Sequence, residues 1–103
     1  MTRGDVYDID WPGLGLRPAV IVTRPIAIPH LTNLTVVLVT TRVRGLPTEV
    51  ELGEAHGLVE GSVANCDNVL TVPKAALARR RGALGPPESR ELDDALRIAL
   101  ALD

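Results

Sequence analysis

Leu34-Thr35-Val36-Val37-Leu38-Val39-Thr40-Thr41 is the stretch on which the fold turns. A half-exposed strand alternates apolar and polar residues, but Val36 to Val39 is apolar without a break. At this length the pattern describes a strand covered on both faces. It predicts a central strand over 34–41 lying between two apolar layers. Arg42-Val43-Arg44-Gly45 follows and turns the chain.

Working outward, Gly4 to Trp11 alternates as a strand, with Tyr7, Ile9 and Trp11 on one face and Asp8 and Asp10 on the other. Pro12-Gly13 and Gly15 break it. Ala19–Thr23 is a β-branched run and predicts a second strand, with Arg17 in the loop just before it. Pro25 and Pro29 bracket an irregular segment holding His30. Downstream, Thr48, Val50 and Leu52 alternate against Glu49 and Glu51 as a half-exposed strand. Gly53–Gly61 reads as a polar loop with room for one helical turn. Ser62–Val72 reads as a long strand with Ala64, Cys66 and Leu70 inward. Pro73–Leu77 predicts a short helix and Arg79–Leu84 a last strand. Pro86-Pro87 opens a helix expected to run to about Leu102, where Leu92, Ala95, Leu96, Ala99 and Leu100 recur at helical spacing. Glu88 and Glu91 suit the positive end of its dipole.

Five or six short strands, no crossover helices and one terminal helix predict a mainly antiparallel sheet that curls on itself, an α+β and mainly β class. The 103 residues fit one domain, 1–103, with no repeat and no linker. No apolar run reaches the ~20 residues of a bilayer span, and no signal-peptide core follows Met1, so a cytoplasmic protein without membrane contact is expected.

Composition excludes several functions. Tyr7 and Trp11 are the only aromatics, which removes sites built from stacked rings. Cys66 is the only cysteine, so there is neither an internal disulfide nor a cysteine-rich metal site. His30, His56 and Cys66 lack metal-ligand spacing, and no metal or cofactor is expected. Neither Ser62 nor Ser89 sits in a nucleophile elbow. The net charge of −2 conceals alternation: +2 over residues 1–48, −5 over 49–72, +4 over 73–87 and −3 over 88–103. The basic stretches are of the kind that meets a polyanion. The remaining polar residues at strand ends are Arg17, Thr40 and Thr41, together with Asn65, Asp67 and Asn68, which interrupt an otherwise apolar strand. By themselves they describe a small β-rich domain suited to binding an anion.

Six segments in order resemble the MazF/PemK (Kid) family of toxin endoribonucleases. They are Arg3-Gly4-Asp5-Val6-Tyr7, Arg17-Pro18-Ala19-Val20-Ile21-Val22-Thr23, Val36-Val37-Leu38-Val39-Thr40-Thr41, Leu46-Pro47-Thr48-Glu49-Val50, Gly61 to Asn68 and Thr71-Val72-Pro73-Lys74. The resemblance spans essentially the whole chain. It implies an SH3-like small β-barrel with a C-terminal helix, working as a homodimer. It implies metal-independent cleavage of single-stranded RNA to 2′,3′-cyclic phosphate and 5′-hydroxyl ends, growth arrest, and neutralisation by a cognate antitoxin. Carried over residue by residue, it makes Arg17 and Thr40 catalytic, and Thr41, Arg42, Asn65, Asp67 and Asn68 RNA-binding. The Pro12–Leu16 loop is shorter than in many relatives and lacks the residues that serve as acid or base there, which leaves His30 as a stand-in. Leu70 and Asn65 occupy positions where relatives carry arginine. Two alternatives share the architecture. One is a CcdB-like gyrase poison, disfavoured by the Ala101-Leu102-Asp103 terminus. The other is a non-catalytic SH3-like binding module, disfavoured by the shortage of aromatics.

Overall fold

A computed structural model describes all 103 residues. Its six strands are β1 (Asp5–Trp11), β2 (Gly15–Ile21), β3 (Asn33–Thr40), β4 (Glu49–Leu52), β5 (Ser62–Pro73) and β6 (Leu77–Ala83). Short 3₁₀ turns cover Pro25–His30, Glu54–His56 and Lys74–Ala76, and helix α1 covers Pro86–Ala99. All neighbouring strands are antiparallel, in the order β4-β5-β3-β2-β1-β6. The sheet is strongly curled but open, compatible with the expected barrel-like fold, and β4 and β6 are its edges. No helix is long and apolar enough to cross a membrane.

The apolar run of β3 does what its composition requires. Val37 and Val39 enter one core, with Val6, Val20, Val50, Leu52, Leu58, Ala64, Cys66, Leu92 and Ala95. Val36 and Leu38 enter a second core on the opposite face, with Ile9, Ala19, Ile21, Ile28, Leu34, Val72 and Ala76. Successive side chains of a strand point to opposite faces, so an unbroken apolar run can feed two cores at once. Each of the buried valine, leucine and isoleucine side chains contributes about 1.5–3 kcal/mol relative to exposure. Helix α1 covers the first core, and the 3₁₀ turns close parts of the second through Ile28 and Ala76.

Three expectations are corrected. The second strand starts at Gly15 rather than Ala19, because Trp11 pairs with Gly15 and the hairpin continues without a gap. Arg17 is therefore a strand residue opposite Ile9, not a loop residue. Helix α1 stops at Ala99, and Leu100 is exposed rather than part of the buried stripe. The stop is a Schellman closure: Leu102 N–H donates to the Arg97 carbonyl (2.8 Å) and Ala101 N–H to that of Ile98 (3.2 Å). Ala101 takes the left-handed conformation, φ 55°, which glycine usually fills, so no glycine marks the stop in the sequence. Leu70 is half-buried at the margin of the second core rather than fully inside.

Strand β5 contains the largest irregularity. Val37 pairs with Val69, yet the next residue of β3, Leu38, pairs with Asn65. Cys66, Asp67 and Asn68 are thus three extra residues opposite β3, a bulge larger than the usual single inserted residue. This is why polar residues interrupt an apolar strand. Cys66 turns into the first core, where burial pushes its thiol pKa up to about 11.

Candidate active site

Arg17 and Thr40 come together through strand pairing. The β2–β3 ladder ends at the Ala19–Leu38 pair, and just beyond that end Arg17 of β2 and Thr40 of β3 line the same cleft. Arg17 donates from Nη2 to the Val39 carbonyl at 3.4 Å, one long bond that leaves most of the guanidinium unengaged. The Arg42 backbone N–H donates to Thr40 Oγ1 at 3.1 Å. That bond uses an acceptor site of the hydroxyl, so its proton stays available for donation to a ligand.

These residues line a cleft of about 610 Å³, whose wall is Arg17, Pro18, Val39, Thr40, Thr41, Arg42, Leu58, Val59, Ser62 and Arg81. It holds three guanidinium groups and two threonine hydroxyls, and no carboxylate or imidazole. The arrangement is an anion site: planar forks of N–H donors suit phosphate, and of the three guanidiniums only Arg81 is paired with a carboxylate, that of Asp8. A second cleft of about 420 Å³, lined partly by Glu51, His56 and Glu60, lies beside it. No three metal-binding side chains are grouped anywhere in the chain.

The other predicted site residues sit elsewhere. Asn65, Asp67 and Asn68 lie on the β5 bulge and do not line this cleft. Asp67 is exposed, and its Oδ2 accepts from the Thr48 hydroxyl at 2.7 Å. Asn65 Oδ1 accepts from the Asp67 N–H at 3.0 Å. His30 is exposed at the end of the first 3₁₀ turn and is absent from the cleft wall, so it does not replace the missing acid or base there.

Two contributors were missed by sequence reasoning. Glu49 was read as a solvent-facing strand residue. Its carboxylate instead accepts the N–H groups of Arg44, Gly45 (2.8 Å) and Leu46 (3.1 Å), tying together the turn that follows Thr41 and Arg42. Those backbone donors, that of Arg44 first, hold its pKa below the usual value. In sequence Arg81 is one of three consecutive arginines, Arg79–Arg81, with nothing to single it out, yet it alone of the three reaches the cleft while pairing with Asp8 at 3.1 Å. The signal in the sequence was Asp8, an acid between the strand residues Tyr7 and Ile9, which had to find a partner once buried.

Comparison with known proteins places the chain in a family. The chain matches the family model described as PemK-like, MazF-like toxin of type II toxin-antitoxin system over residues 2–100. It is 45% identical over 87 residues to the endoribonuclease MazF3 of Mycobacterium tuberculosis, covering 84% of each chain. It resembles the solved structure of the Mycobacterium tuberculosis toxin MazF-mt6 with a TM-score of 0.89 and 39% identity, covering 96% of this chain and 98% of that one. It resembles an endoribonuclease solved with its cognate antitoxin from a mycobacterial species with a TM-score of 0.90 and 33% identity, covering 100% of this chain and 97% of the other. The chain belongs to the PemK-like, MazF-like toxins of type II toxin–antitoxin systems.

Proposed function

We propose that the protein is the toxin of such a pair and a metal-independent, sequence-specific endoribonuclease for single-stranded RNA. The observation that carries this reading is the presence of Arg17 and Thr40 together on the wall of a cleft whose charged groups are all cationic. The name of the relatives, endoribonuclease, supports it.

In this reading the RNA 2′-hydroxyl oxygen bonds to the adjacent phosphorus and the bond to the 5′-oxygen breaks. The products are a 2′,3′-cyclic phosphate and a 5′-hydroxyl. The 2′-hydroxyl gives up its proton and the leaving oxygen gains one. Negative charge builds on the non-bridging oxygens between those events. Arg17 donates two parallel N–H bonds to them and Thr40 its free hydroxyl proton, a preorganised anion site worth roughly 3 kcal/mol per well-placed donor. Arg17 stays charged throughout, since a guanidinium does not lose its proton near neutrality. The cleft wall of one chain has no titrating acid or base, so protons move through solvent or a group brought by the second protomer.

Thr41 and Arg42, beside the catalytic pair, bind the flanking RNA, and Asn65, Asp67 and Asn68 read bases from the bulge. The 103 residues act as one toxin unit, dimerise, and unite the basic stretches 1–48 and 73–87 into one groove. Cutting cellular mRNA arrests growth in the cytoplasm, and a cognate antitoxin relieves the arrest by covering the groove.

The test is incubation of the purified protein with a long transcript in EDTA, followed by mapping of the ends. Discrete cuts bearing cyclic phosphate are expected. Intact RNA, or cleavage that needs an added divalent metal, contradicts the reading.

A further inference from the structure

The groups around Arg81 are built with more care than a solvated arginine requires. Its Nε donates to the Gly57 carbonyl at 3.0 Å, and its Nη1 donates to both oxygens of Asp8 at 3.1 and 3.4 Å. Asp8 itself is buried, with 7% of its surface exposed. The backbone beneath is fixed as well. Gly57 has φ 77°, and a methyl group there would overlap the Arg81 carbonyl, while one on Gly82 would overlap the carbonyl of His56. Only a pair of glycines lets the 57–62 loop lie this close to β6. Arg79 and Arg80, by contrast, are exposed and meet Asp8 and Asp5 only at 3.8 and 3.4 Å. Of this run Arg81 alone lines the cleft.

The held guanidinium retains unused donors: Nη2 makes no hydrogen bond within the protein. An arginine whose rotamer is already fixed loses little entropy on binding, and its remaining N–H groups suit a phosphate oxygen. The cleft volume of about 610 Å³ accommodates a nucleotide with its flanking phosphate rather than one phosphate alone.

We propose that Arg81 is a second phosphate-binding residue, gripping an RNA phosphate next to the one at Arg17, and that Asp8 is its positioning residue. The inference rests on the cleft being the RNA site, and it assigns a contact by a residue outside the Arg17–Thr40 pair. Asp8 neutralises part of the charge of Arg81 but fixes its direction, so the contact is oriented rather than merely attractive.

The test measures binding to a 2′-O-methyl RNA 10-mer of randomised sequence, which lacks the attacking hydroxyl and is not cut, across a range of salt concentrations. Each phosphate contact on a single strand adds about 0.7 to the slope of log K against log salt. Arg81→Gln is expected to lower the slope by about 0.7 and to weaken binding about tenfold at low salt. Arg81→Lys should keep the slope and recover part of the affinity. Arg90→Gln, which removes an equal charge from the exposed side of α1, should leave the slope unchanged. Asp8→Asn combined with Arg81→Gln leaves no unpaired buried carboxylate and should reproduce the loss of slope if the single variant folds poorly. An unchanged slope in both folded variants, or an equal fall in Arg90→Gln, overturns the role of Arg81 while leaving the cleft reading intact. If the unaltered protein binds with no salt dependence, the cleft itself is not the RNA site.

Discussion

The cleft where β2 begins and β3 ends and the bulge of β5 are both polar interruptions of an apolar sheet, but they differ in what their polar atoms have left over. In the cleft, Arg17 makes one long bond, Thr40 is engaged only as an acceptor, and Arg81 keeps a free Nη2. In the bulge, Asp67 accepts the Thr48 hydroxyl, Asn65 accepts the Asp67 N–H, and the Cys66 N–H donates to the Thr48 carbonyl. The cleft keeps donors in reserve; in the bulge Asn65 and Asp67 spend side-chain oxygens on its own geometry. Unspent, oriented donors are what transition-state stabilisation requires. Spent ones hold a shape, and here that shape presents Asn68 and the free edge of Asp67 to solvent.

The largest expected effect follows from removing the cleft's principal donor. Arg17→Ala should lower the cleavage rate at least 100-fold while the protein stays folded, because Arg17 is half-exposed and its one internal bond is weak. Thr40→Val should cost about tenfold or more in rate for the same reason, with little change in stability. The bulge should respond in the opposite sense. Asp67→Asn should change the cleavage rate constant less than about fivefold. It should show instead as a shift in KM or base preference, and as about 1 kcal/mol of stability from the weakened Thr48 bond, read by denaturant titration. A rate loss as deep as that of Arg17→Ala would break the distinction between the two regions.

Smaller effects sharpen it. Helix α1 is tied to the 53–57 loop by His56 Nε2 against Glu88 Oε1 at 3.3 Å, while His56 Nδ1 accepts the Gly53 N–H. The hydrogen bond from His56, with help from the Gly85 N–H, holds the Glu88 pKa below its ordinary 4.5. A lowered carboxylate pKa contributes stability that is present above the ordinary value and is lost as pH falls through the folded one. Acid titration of stability should therefore show a component below pH 4.5 that Glu88→Gln abolishes. Smallest of all, Ala101→Gly should stabilise by about 0.5–1 kcal/mol in thermal melts, since it relieves a left-handed alanine without touching either region.

The architecture was legible where burial dictates pattern. Val36 to Val39 announced a strand with two covered faces, and Leu92 and Ala95 announced the buried side of the helix. The pairing of Arg17 with Thr40 came from family resemblance, because their closeness depends on a register that no local pattern encodes. The start of β2 was misplaced since Gly15 and Pro18 look like breakers, yet β2 takes both into its pairing with β1. The helix end was misplaced because alanine, a helix former, occupies the left-handed position. Arg81 and Glu49 were hidden because their roles depend on partners far away in sequence or on backbone N–H groups, which carry no residue signature.

The most direct measurement is the single-turnover cleavage rate of Arg17→Ala, in EDTA, at protein concentrations that saturate the RNA, with folding verified by circular dichroism. The predicted result is a rate at least 100-fold below that of the unaltered protein, with RNA binding weakened far less than the rate. A folded Arg17→Ala protein that cuts the same sites at nearly the original rate would contradict the assignment of the cleft as the catalytic centre.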